Sequence, residues 1–177
     1  MVRDIALNLL QLLYKVGDEF MKENTCCFFG HRTIAETDEL RKKITEAVER
    51  LITDKRVDTF LFGSKSQFDS LCLEVVTKLK EKYPRVKRIY LRAEFEFISE
   101  DYMNYLLKSY DDTYFLPKLH GAGRAVYVER NCEMINNSKY CIVYYDKDYS
   151  LPVGKSGTRI ALDYATERDR EIIMMLP

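Results

Sequence analysis

The chain has 177 residues, 46% of them hydrophobic, which suits one domain whose core needs no disulfide or metal staple. Its 28 lysines and arginines balance 28 aspartates and glutamates, so no overall field steers it toward nucleic acid or an anionic membrane surface. Five cysteines (Cys26, Cys27, Cys72, Cys132 and Cys141) stand mostly in apolar runs without a C-x-x-C pair, and there are two histidines; this argues for reduced thiols in a cytoplasmic setting and against a structural zinc site.

Residues 1–24 read as an amphipathic helix, with Ile5, Leu9, Leu12, Leu13, Val16 and Phe20 at helical spacing. Asp4, Lys15, Asp18 and Glu19 make this stretch too polar for a signal peptide or a membrane span, so it is expected to pack on the domain or on a second subunit. Residues 25–177 then alternate short apolar runs with helical patterns. Thr25–Phe29 predicts a strand, and a helix with Leu40, Ile44, Val48, Leu51 and Ile52 on one face follows. Val57–Phe62 repeats the strand signal before a helix from Phe68 to Leu79, and Val86–Leu91 supplies a third strand.

The charged, aromatic segment from Arg92 to Tyr110 breaks this alternation and is assigned no element. A short strand is expected at Thr113–Leu116, a loop from Pro117 to Gly123, a helix from Ala125 to Asn137 and a strand at Tyr140–Tyr145. A helix from Gly157 to Arg168 and a strand at Ile172–Leu176 complete the chain. Such alternation predicts an α/β, Rossmann-like three-layer sandwich with a mainly parallel sheet.

Three turns stand between an apolar run and a helix: Gly30-His31-Arg32, Gly63-Ser64-Lys65-Ser66 and Lys155-Ser156-Gly157-Thr158. Turns of this kind offer backbone N–H groups, hydroxyls and a positive helix end to an anion. A parallel sheet would bring all three to its carboxyl edge, where open α/β folds bind ligands. None matches a complete phosphate-binding motif, and each has a structural alternative. His31 can hold phosphate or bond a neighbouring turn, and Arg32 can grip an anion bidentately. Ser64 and Ser66 can simply cap a helix, while Lys65 meets phosphate only if it points inward. Asp69 can serve the helix dipole, a ribose hydroxyl or a water-bound cation. Cys26 and Arg32 share the C-x5-R spacing of cysteine phosphatases, but the residues between them are strand-like, so that chemistry is set aside.

Phe28-Phe29-Gly30-His31-Arg32, then Phe62-Gly63-Ser64 with Phe68-Asp69, Arg130-Asn131 with Met134 and Asn137-Ser138, and Ser156-Gly157-Thr158 with Ala161 and Ala165 occur in that order. Together they resemble the YpsA-like branch of the SLOG superfamily, which groups DNA-processing protein A with the Lonely Guy proteins. The resemblance runs from about Thr25 to the C-terminus and implies a Rossmann-like fold with a cleft for a nucleotide or a nucleotide-derived, for example ADP-ribose-like, ligand. Gly63 and Ser64 would meet phosphate or ribose, Arg130 and Asn131 would approach from the next helix, and Gly157-Thr158 would close the cleft.

Two departures bear on activity. The hydrolytic branch carries P-G-G-x-G-T-x-x-E; here the final carboxylate position is Ala161, which favours ligand sensing without turnover. The alternative is a Lonely Guy-like phosphoribohydrolase that pairs Arg130 with Glu129, Glu133, Asp69 or Asp146. The second turn also lacks the family's Gly-Gly-Ala-x-Gly-x-Asp pattern, which bears on ligand size. The expected partner is a small nucleotide-type molecule, with a homo-oligomer possible and neither membrane nor metal implied. A nucleic-acid partner lacks its usual basic stripe.

Overall fold

The structure, a computed structural model describing residues 23–93, 97–115, 123, 125–148 and 156–176, alternates strand and helix along the chain. The elements are β1 (Thr25–Gly30), α1 (Asp38–Asp54), β2 (Thr59–Phe62), α2 (Gln67–Lys82), β3 (Lys87–Arg92), α3 (Glu100–Leu107), β4 (Asp112–Phe115), α4 (Ala125–Asn136), β5 (Tyr140–Tyr144), α5 (Gly157–Glu167) and β6 (Glu171–Met174). The expected N-terminal helix lies outside the described residues apart from Glu23 and Asn24, as does most of the loop from Pro117 to Gly123.

The six strands form one sheet in the order β4-β3-β2-β1-β5-β6, and every pair is parallel. Side chains alternate across it. Cys26, Phe28, Phe60, Phe62, Ile142 and Tyr144 face one layer, where they pack with the apolar faces of α1 and α2 and with Leu106 of α3. Cys27, Phe29, Leu61, Cys141 and Val143 face the other, against Met134 and Ile135 of α4 and Ala161 and Ala165 of α5. Strands buried on both faces read as unbroken apolar runs, which is why the sequence exposes them so plainly. Among the described residues no helix is long and apolar enough to cross a membrane.

Two details differ from the sequence expectation. Val57 is not part of β2, because its N–H turns back to the Leu51 carbonyl at 3.0 Å and closes the end of α1. The segment from Arg92 to Tyr110 contains α3, whose N-cap Ser99 accepts from the Tyr102 N–H at 3.2 Å. This helix buries only Leu106 within its span, so it has no apolar stripe to betray it.

The sheet order places the site. β1 and β5 are neighbours, yet β1 leads to α1 on one face and β5 to α5 on the other. The chain therefore leaves their carboxyl ends in opposite directions and opens a crevice between them, the usual ligand position in such sheets.

Candidate functional site

Gly30 and Tyr144 are register partners at the ends of β1 and β5, so His31 and Tyr145-Asp146 meet directly across the crevice. His31 is only 2% exposed. Its Nε2 accepts from the Asp146 N–H at 2.9 Å, which requires a lone pair and assigns the ring proton to Nδ1. Burial lowers the His31 pKa, against the pull of the Asp146 carbonyl and carboxylate. Its ring stands edge-on to Tyr144 and tilted against Tyr145, with centroids 6.2 and 5.5 Å away. The Arg159 guanidinium lies over the Tyr145 ring at 5.7 Å, adding a charge from the first turn of α5. His31 is thus a neutral strut across the crevice.

The rest of the first turn is positioned by packing. A Cβ on Gly30 would stand 2.3 Å from the Phe68 ring, so this glycine lets α2 close over β1. Arg32 points to solvent, while its carbonyl accepts from the Gln67 N–H at 2.9 Å and ties the first turn to the second.

The second turn satisfies itself. Ser66 caps α2 by accepting from the Asp69 N–H at 3.1 Å, and Ser64 Oγ accepts from the Ser66 N–H at 2.9 Å. Lys65 is exposed. Asp69, 3% exposed, turns back under the loop, where the N–H groups of Ser64 and Gly63 donate to its carboxylate. Burial raises its pKa to about 7, although the Arg130 charge and those two N–H groups pull it down. The amides that the sequence offered to an anion therefore serve the fold, and a cationic side chain reaches the turn from α4.

That side chain is Arg130. It is 6% exposed and donates through Nη1 to the Gly63 carbonyl. Asn131 Oδ1 accepts from its Nε at 3.3 Å and its Nη2 at 3.1 Å, and the Tyr127 ring lies 5.5 Å from Cζ. A Cβ on Gly63 would stand 2.8 Å from Arg130 Cδ and Nε and 2.9 Å from Met134 Sδ, so only glycine lets the arginine cross here. Gly63, Ser64, Asp69, Arg130 and Asn131 thus form one cluster, a buried guanidinium beside a carboxylate that titrates near neutrality. The guanidinium turns its Nε and Nη2 to Asn131 and its Nη1 to Gly63.

The third turn lies on the crevice side of the sheet. Ser156 caps α5 by accepting from the Arg159 N–H at 3.0 Å, and Thr158 is buried. Gly157 is exposed and a Cβ there would meet nothing within 4 Å. Lys155 lies outside the described residues. Ala161 is 2% exposed in the core, so no carboxylate occupies the position corresponding to the hydrolytic branch's glutamate. Of the four candidate substitutes, Glu133 accepts from Asn137 Nδ2 and Asp146 from the Asp148 N–H, both at 2.9 Å, Asp69 holds the turn, and Glu129 is half-buried on α4.

Sequence reasoning missed Tyr127, Tyr145 and Arg159 as members of the site. Tyr127 and Arg130 stand three residues apart on one helix, a spacing that puts their side chains together. Arg159 follows the third turn directly, so its position near the helix start was available as a signal.

An open parallel α/β sheet with polar groups gathered at its carboxyl edge defines a Rossmann-like protein. No protein-family model matches the chain, and no curated protein does. Among solved structures it is similar to DNA processing protein A from Helicobacter pylori, described for its single-stranded DNA binding mode, with TM-score 0.53 and 14% identity. That match covers 86% of this chain and 65% of the other, so the chain spans a little under two thirds of that protein. It is also similar to the molybdenum cofactor carrier protein of Chlamydomonas reinhardtii, with TM-score 0.51 and 10% identity over 86% of this chain and 76% of the other. Both likenesses rest on the fold, a Rossmann-like parallel α/β sheet that this chain shares.

Proposed function

We propose that this chain binds a nucleotide or nucleotide-derived ligand at the carboxyl edge of its sheet and senses it without breaking a bond. The observation that carries this reading is Arg130, a buried guanidinium laid across the Gly63 turn, whose nearby carboxylate is only partly ionised at neutral pH. In this reading the ligand's phosphate pairs with Arg130. Ser64 and Asn131 contact its polar groups, and the ligand extends toward His31 and the Ser156-Gly157-Thr158 helix start. The buried Ala161 supports sensing over hydrolysis, because glycosidic cleavage needs a group that activates water or stabilises an oxocarbenium-like charge.

Within this reading the chain is a member of the YpsA-like branch, residues 25–177 act as one ligand-binding unit, and its setting is the cytoplasm. An ADP-ribose-like molecule is one candidate ligand.

Calorimetry with adenosine monophosphate and ADP-ribose, run beside an adenine-release assay, tests the proposal. The wild type binds at least one of the two, Arg130→Ala weakens that binding by about 10- to 100-fold, as expected for a lost hydrogen-bonded charge, and no adenine appears. Failure of the folded protein to bind either ligand overturns the reading. Adenine release that disappears in Arg130→Ala replaces the sensor with a phosphoribohydrolase.

A further inference from the structure

The turn between β2 and α2 is gripped from two sides by oppositely charged residues. Arg130 of α4 donates to the Gly63 carbonyl, while the N–H groups of Gly63 and Ser64 donate to Asp69 of α2. Both side chains are more than nine-tenths buried, and Asp69 Oδ1 has no hydrogen-bond partner among the described residues. The other titratable groups facing Asp69 are the Cys72 thiol on its own helix and the Tyr110 phenol from the segment before β4. Burial above all pushes both toward their neutral forms, and Asp69 adds to the effect. Arg130 is therefore the charge that compensates Asp69.

We propose that Asp69 and the ligand's anionic group share Arg130, so that anion binding at Arg130 is accompanied by uptake of one proton by Asp69. This rests on the reading that Arg130 receives the ligand anion. A second negative charge in a buried site takes up the field that Arg130 lends to Asp69, and two carboxylate-like charges cannot both draw on one guanidinium at low cost. A proton from solvent relieves the conflict. It goes to Oδ1, the oxygen without a partner, and turns that oxygen into an O–H donor while the carboxyl group goes on accepting from the turn. Asp69 already titrates at about 7, so the proton is available near neutrality. The turn keeps its shape, and the site becomes more receptive to anions as pH falls.

The signature is an affinity for anions that is flat below about pH 6 and declines by up to about tenfold per pH unit above pH 7. The direct test uses sulfate, which carries no titrating proton in this range, at ionic strength matched with sodium chloride. Carbon-13 NMR follows the Asp69 carboxyl through a pH titration. Sulfate is expected to raise its midpoint by at least one pH unit and to move the Gly63 and Ser64 amide signals and the Arg130 Nε–H signal. In Arg130→Gln the Asp69 midpoint is already raised, and sulfate no longer changes it. Movement of the Gly63, Ser64 and Arg130 signals with an unchanged Asp69 midpoint overturns the proton coupling and leaves the anion site intact. No movement at either place overturns both.

Discussion

Asp69 and His31 draw the pH dependence of folding in opposite directions. Asp69 has a raised pKa, so between its ordinary value of 3.8 and about 7 the folded protein holds a proton that the unfolded chain lacks. Its contribution is complete below the unfolded value and is lost as pH rises through 7; over the range from pH 5 to pH 9 the loss reaches about 3 kcal/mol. His31 has a lowered pKa: below its ordinary 6.5 the unfolded chain takes up a proton that the buried ring refuses, so stability is lost as pH falls through that value. Urea unfolding at pH 5, 7 and 9 separates the two. Asp69→Asn is expected to gain up to about 3 kcal/mol at pH 9 relative to its effect at pH 5. His31→Gln should weaken the fold by about 1–3 kcal/mol at pH 7, through the lost strut, and flatten the acid-side decline. Parallel pH profiles for wild type and Asp69→Asn would show that Asp69 is not held as described.

At the scale of elements, two glycines end neighbouring strands and yet protect different things. An alanine methyl at Gly30 would stand 2.3 Å from Phe68, a fully buried ring with no room to retreat. At Gly63 it would stand 2.8 Å from Arg130 Cδ and Nε and 2.9 Å from Met134 Sδ, both side chains buried. Gly30→Ala is therefore expected to cost about 1–3 kcal/mol or more of stability through overpacking. Gly63→Ala should cost about 1–3 kcal/mol as well, because it pushes Arg130 off the Gly63 carbonyl, and should also weaken nucleotide binding more than tenfold, which Gly30→Ala should not. Unfolding midpoints and calorimetry on both variants check this; an equal loss of binding in the two would contradict it. The same contrast shows what the sequence could reveal. Both glycines look alike as residues closing an apolar run, and only the helices packed above them distinguish a packing glycine from one that lets an arginine pass. β1, β2 and β5 were legible because burial on both faces leaves uninterrupted apolar runs. α3 was not, because Leu106 is its one buried anchor.

Over the whole molecule, the parallel order β4-β3-β2-β1-β5-β6 gathers residues from distant parts of the sequence at one edge. The three turns and the Arg130-Asn131 pair were legible in the sequence as candidates, and the reason they could share one edge was the parallel alternation itself. The sequence could not announce how their hydrogen bonds are distributed. The amides of the second turn are used within the fold, His31 spends its lone pair on Asp146, and Arg130 lies 67 residues from the carbonyl it holds. Propensity and spacing describe each turn separately, whereas these allocations depend on which side chain arrives across the sheet.

The central claim is that a nucleotide-type ligand sits on Arg130 at the carboxyl edge and leaves unchanged. Amide chemical-shift mapping of the protein with ADP-ribose tests it most directly, with the ligand's own signals followed in the same sample. The account predicts the largest shifts at Gly63, Ser64, Arg130 and Asn131, smaller ones at His31 and Ser156 to Thr158, and ligand signals unaltered over the experiment. Shifts confined to the amino edge of the sheet, or none at saturating ligand, would contradict it.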